Sequence, residues 1–205
     1  MSHRPRVIVV TDPMCSWCWG MAPAIESAAA TLQDRVDFDL LLGGVNVDST
    51  LPVGQYGLRL LTRIWQEVAA TTGQRFSYRL PDGFVFNSVR PCLAVAAVRQ
   101  ALGRPPFGYL HLLQQRLFLD AVDINTPSEL VAAAASLGVP AGVVQAALDA
   151  PEAAAALRAE FDGARRYGTQ ALPNVLIERD GRRRLLLGGY ADAAMLVDGV
   201  LAALA

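Results

Sequence analysis

The sequence predicts an α/β protein in which a small sheet is interrupted by a large all-helical insertion. Two observations at the chain's ends and one in its middle carry this reading. A β-branched run near the start, a helical stretch and a second apolar run give the order β-α-β. Roughly a hundred residues of helical composition follow. The chain then returns to two short apolar runs and a last helix, β-β-α.

The first run, "RVIVVTD" at residues 6 to 12, has no alternation and reads as a strand buried on both faces. "SWCWGMAPAIESAAATL", from Ser16 to about Leu32, is helical in composition, with a kink expected at Pro23. "RVDFDLLLGG" (35 to 44) is a second strand, stopped by Gly43 and Gly44 and parallel to the first. From there to about residue 167 the chain reads as helical throughout. Leu58, Leu61, Trp65 and Val68 share one helical face. In "TPSELVAAAASLG", Thr126 is the expected N-cap, Pro127 the first helical residue, Glu129 the residue that closes a capping box, and Gly138 the far end of the helix. "NVLIE" (174 to 178), Asp180-Gly181 and "RRRLLLGG" (182 to 189) make a hairpin, and "DAAMLVDGVLAALA" a closing helix. The order is that of a thioredoxin-like sheet with a helical insertion. It divides the chain into a discontinuous sheet domain, 1–50 with 168–205, and an insertion, 51–167, whose last helix bridges back.

With 205 residues, 53% of them hydrophobic and 18% charged, the chain buries a real core. A net charge of -1 gives no electrostatic reason to expect nucleic acid or an anionic membrane as partner. All 18 basic residues are Arg, a bias that suits a GC-rich bacterial genome. No apolar run approaches the ~20 residues that span a bilayer. "VIVV" is also shorter than the ~7–15 residues of a signal-peptide core. The expected location is therefore a reducing cytoplasm, where a close cysteine pair is more often catalytic or metal-binding than a staple.

"TDPMCSWCWG" carries such a pair, Cys15 and Cys18. Cys15 falls where the first strand ends and the first helix begins, and free N–H groups and the helix dipole favour a thiolate there. Cys18 follows one turn later, close enough to attack a mixed disulfide at Cys15. A tetrahedral zinc site needs two further ligands, and the chain offers only Cys92, His3 and His111 without a second paired motif. A structural disulfide across so short a loop restricts the unfolded chain little. Redox chemistry is the reading that remains, with no bound metal or cofactor beyond a redox-active disulfide.

"DPMCSWCWG" after a buried strand, a proline eight residues past the first cysteine, the helical insertion and the late "ALPNVLIE" together resemble the DsbA-like thioredoxin family, most nearly its cytosolic FrnE-type branch. The resemblance implies a disulfide oxidoreductase or isomerase with Cys15 as nucleophile and Cys18 as resolving thiol. It implies that Leu172-Pro173 forms a cis-proline loop beside the disulfide, offering backbone to a bound peptide. Leu172 is bulkier than the Val or Thr usual there. Ser16 and Trp17, between the cysteines, line the substrate side and supply no cation, which implies a couple less oxidising than that of DsbA. Asn87, in "FNSVRPC", resembles a polar segment facing the active site and is a further substrate-binding candidate, along with Ser88 and Arg90. The expected partners are protein or peptide thiols and disulfides, with glutathione or thioredoxin as electron partner.

Other residues have plainer readings. Asp12 is either a proton acceptor for Cys18 or the cap of the first helix. Cys92 reads as a small buried hydrophobe rather than a third redox thiol. Trp19 reads as core and Trp17 as exposed. His111 reads as structural, and Arg182 to Arg184 as a solvated sheet edge. Two other functions fit the chain. One is a glutathione-dependent isomerase or transferase of the kappa-class type, although that class carries Ser where Cys15 stands. The other is a peptide-binding chaperone without turnover.

Overall fold

A computed structural model of the chain describes residues 4–167 and 171–205. Strand β1 (Arg6–Thr11) is central, and β2 (Asp37–Leu42) lies parallel to it in the order β2-β1-β3-β4. Strand β3 (Asn174–Arg179) runs antiparallel to β1, and β4 (Arg182–Gly188) antiparallel to β3. Both faces of β1 are covered, as its unbroken apolar run requires. Val7 and Val9 enter one buried cluster, Ile8 and Val10 another. Asp180 and Gly181 turn the hairpin with φ values of 52° and 73°, the left-handed pair that a two-residue turn demands.

Helix α1 (Ser16–Leu32) runs unbroken through Pro23. The proline has no N–H for the carbonyl four residues back, and that carbonyl, of Trp19, instead accepts from Gln74 Nε2 at 3.0 Å. Between β2 and β3 lie α2 (Gln55–Thr72), α3 (Val89–Leu102), α4 (Phe107–Phe118), α5 (Pro127–Ala135), α6 (Ala141–Asp149) and α7 (Pro151–Arg165). Helix α8 (Ala193–Leu204) packs on α1 and β4. The buried cluster of the insertion takes in Met14, Trp19, Leu40 and Leu42 from the sheet side, so one apolar core crosses the junction.

Two local expectations fail. Residues 74–87 contain no helix, because Pro81 and Gly83 break it and aromatic burial replaces helical hydrogen bonding. Phe76, Phe84 and Phe86 are all buried there, and Phe76 stacks on Trp65 with centroids 5.7 Å apart. The capping box of α5 is also not made. Thr126 is the N-cap but gives no side-chain bond, and the Glu129 carboxylate is taken by Arg116 at 2.6 Å. The expected boundary at 167/168 meets residues 168–170, which lie outside the described residues, as does His3.

An ion pair between two helices of the insertion also reaches the edge strand β2. Arg99 on α3 donates to both oxygens of Glu160 on α7, at 2.8 and 2.5 Å, and to Leu40 O at 3.3 Å. Glu160 in turn accepts from Leu42 N at 2.9 Å. Arg99→Ala leaves that carboxylate without its cation in a partly buried site. It should lower the unfolding free energy by about 2–3 kcal/mol, read as a lower urea midpoint at unchanged m.

Candidate active site

Cys15 is the N-cap residue of α1, and its Sγ accepts from Cys18 N at 3.2 Å. The sulfur therefore faces a backbone donor and the positive end of the helix dipole. Both residues are thiols here, with Cys15 8% exposed and Cys18 2%. Burial pushes the Cys18 thiol well above its ordinary range; the bond to Cys15 and the Cys15 and Asp12 charges add to this, and a hydrogen bond with Thr11 opposes it. The two sulfurs thus differ by environment: one at the helix tip with a donor, one a turn inside and held protonated.

Asp12 is neither the cap of α1 nor bonded to Cys18. Its side chain is fully buried and accepts from Met14 N at 2.7 Å through Oδ1. Through Oδ2 it accepts from Ser88 Oγ at 2.6 Å, Val45 N at 3.1 Å and Cys92 Sγ at 3.3 Å. Its carbonyl accepts from Cys15 N and from Gln114 Nε2, each at 3.2 Å. Burial raises the carboxyl from 3.8 to about 6, against the opposing effect of the four donors. Cys92 is buried as expected, yet it is no mere hydrophobe, since its S–H goes to Asp12. Burial first, then Asp12, holds it protonated.

The Leu172-Pro173 bond is cis. One register step beyond the Val10–Asn174 pair sets Pro173 across from Thr11, at the end of the sheet where Cys15 lies. Leu172 turns its bulk onto Gly43, where an added Cβ would lie 2.6 Å from it, so a glycine makes room for the large residue. Trp17 is half-buried rather than exposed, its ring 5.9 Å from that of Tyr190, while Trp19 is core and donates to Arg75 O at 3.2 Å. Ser16 is half-buried beside the cysteines.

The substrate-side candidates of the "FNSVRPC" segment separate. Asn87 lines a cavity of about 480 Å³ together with Arg90, but its amide already donates to Val47 O and Ser49 O, holding the loop after β2. Ser88 is wholly buried on Asp12. His111 is structural, its Nδ1 2.9 Å from Glu26 of α1. Arg183 is no free edge charge: it pairs with Glu178 at 2.8 Å, and Glu178 also holds Arg6. The sequence reading missed Thr11, Val45 and Gln114. Gln114 alone left a signal, a polar side chain on the apolar face shared by Leu110, Leu113 and Leu117.

The model of the DSBA-like thioredoxin domain matches residues 6–198. The chain belongs to this family. A candidate protein disulfide isomerase from Nitrosomonas europaea superposes with a TM-score of 0.89 at 26% identity, over 98% of each chain. The cytosolic disulfide reductase DsbM from Pseudomonas aeruginosa superposes at 0.77 and 27% identity, over 97% of this chain and 98% of that one, and it has also been solved with GSH. The ClpXP adapter protein SpxH from Shouchella clausii is 24% identical over 180 residues. That match covers 85% of this chain but only 58% of the relative's length. The DsbA-like protein is thus an enzyme of thiol–disulfide chemistry. Among the described residues no helix is long and apolar enough to cross a membrane.

Two measurements follow from this geometry. Iodoacetamide should label Cys15 before Cys18 and Cys92, as read by peptide mass; faster labelling of either buried thiol contradicts the burial order. The second concerns Asp12, whose folded value lies above its ordinary one. Its contribution to stability is full below about 3.8 and is lost as pH rises through about 6. The unfolding free energy of the wild type relative to Asp12→Asn should therefore fall by about 2–2.5 kcal/mol between pH 4 and pH 7. A difference that does not change with pH would mean that Asp12 is not buried as a titrating acid.

Proposed function

We propose that this DsbA-like protein exchanges disulfides with protein or peptide thiols through Cys15-Ser16-Trp17-Cys18, as a reductase of the bacterial cytoplasm. The observation that carries the reading is the pairing of Cys15 Sγ with the Cys18 N–H at the helix N-terminus, with a second thiol one turn inside. The Cys15 thiolate attacks a substrate disulfide, a Cys15–substrate S–S bond forms, and the first substrate sulfur leaves as thiolate. Cys18 then loses its proton and attacks Cys15 Sγ, closing the Cys15–Cys18 disulfide and releasing the second substrate thiol. The substrate gains two electrons and the protein loses two.

A thiol such as glutathione or thioredoxin returns those electrons by the reverse sequence, and no metal or other cofactor takes part. The reductase direction and the cytoplasmic site draw support from the likeness to DsbM, a cytosolic disulfide reductase, and from the lack of a cation in the Ser16-Trp17 dipeptide. The buried Pro173 and the half-buried Trp17 are the proposed walls for an extended peptide, with Leu172 set back onto Gly43. Asn87 has a supporting part, shaping the 45–49 loop rather than touching substrate.

Insulin reduction tests the reading. Cys15→Ser should lose all turnover, whereas Cys18→Ser should accumulate a covalent adduct at Cys15 because no second thiol resolves it. Turnover that survives in Cys15→Ser, or a Cys18→Ser protein with a reactive Cys15 and no adduct, rules this mechanism out.

A further inference from the structure

Ser88 and Cys92 stand one turn apart where α3 begins, both fully buried, and both donate to the same oxygen of Asp12. The other carboxylate oxygen holds Met14 N, and the Asp12 carbonyl holds Cys15 N. One side of this residue therefore grips the insertion and the other grips the turn that presents Cys15. We propose that Ser88 and Cys92 are positioning residues for disulfide exchange: by fixing the Asp12 carboxylate they fix the turn that carries Cys15. The inference rests on the exchange role of Cys15.

Asp12 carries its charge without a cation. Among the described residues no Arg or His pairs with it, so the donors alone keep it ionised. Ser88 makes the shortest of these bonds. Val45 N, the neighbouring donor, is shared with Ser88 Oγ at 2.8 Å, so loss of the hydroxyl disturbs two contacts together. Among the described residues, the titratable groups facing Asp12 are Cys18 from α1 and Cys92 from α3. Glu160 of α7 acts on Cys92 in turn, and α4 contributes the neutral Gln114. A protonated Asp12 would turn an acceptor into a donor among donors, and the turn would lose its anchor at the pH where the carboxyl takes up its proton.

The test uses the full chain with two readouts. The first is the titration midpoint of the Asp12 carboxyl, followed by carbon-13 NMR. The second is the rate at which oxidised glutathione forms an adduct at Cys15 in a Cys18→Ser background, where the Cys15 thiolate cleaves the probe and releases one glutathione thiolate. Ser88→Ala should raise the proton affinity of Asp12 about tenfold, which lowers the ionised fraction at pH 7 about twofold and should slow adduct formation there by about the same twofold factor. The gap should narrow at pH 9, where Asp12 is ionised in both. Cys92→Ala should act the same way more weakly. Cys92→Ser and Ser88→Thr, which keep a donor, should restore both readouts.

A carboxyl midpoint unmoved by Ser88→Ala and Cys92→Ala overturns the proposal, and so does a moved midpoint with an unchanged adduct rate at pH 7. If Cys15 of the otherwise native protein takes up the probe but insulin is not reduced, the functional reading fails and these two readouts still decide the positioning role. A Cys15 inert to the probe in the native chain sinks both.

Discussion

A buried carboxylate that no cation among the described residues meets is the constraint on which the site depends. Moving an ionised carboxyl out of water costs several kcal/mol unless hydrogen bonds replace its hydration. Asp12 meets that cost with donors from the turn before Cys15, the loop after β2 and the start of α3. No single segment supplies enough of them. The turn that presents Cys15 and the docked insertion therefore share one anchor, a residue four positions before the first intercysteine residue.

The same dependence recurs along α1. Pro23 strips a donor from the helix, and the carbonyl it strands is rescued by Gln74, in the irregular stretch that follows α2. Trp19 sends its ring into the insertion's core and its Nε1–H to Arg75 O in that stretch. A helix that would be weakened in isolation is held by a partner more than fifty residues on. Rigid support of this kind suits a site whose chemistry needs two sulfurs kept one turn apart. Their unequal burial follows from the helix geometry itself, since Cys15 sits on its tip and Cys18 inside its first turn.

Legibility in the sequence followed the range of the interactions involved. β1 was readable because a strand covered on both faces needs an unbroken apolar run, and the hairpin because Asp180-Gly181 is one of few pairs that accept two positive φ angles. The cysteine pair was readable because its spacing is set by one helical turn. Residues 74–87 were not, since their aromatics suit helix and loop alike, and Phe76 takes its place against Trp65 and Phe118 from other segments. The capping box at Thr126 failed for a similar reason. Glu129 had a local partner by pattern and a stronger one, Arg116, from another helix.

By itself the sequence determined the strand and helix order, the helix-tip position of Cys15 and the one-turn offset of Cys18. All of these depend on interactions between residues close in the chain. Tertiary structure alone decided what surrounds the pair: that Asp12 looks to α3 rather than to α1, that Cys92 spends its proton on that carboxylate, and that Leu172 finds its space over Gly43. Each of these joins residues 76 to 129 positions apart. No local periodicity encodes such a contact, because it exists only after the core has brought the segments together.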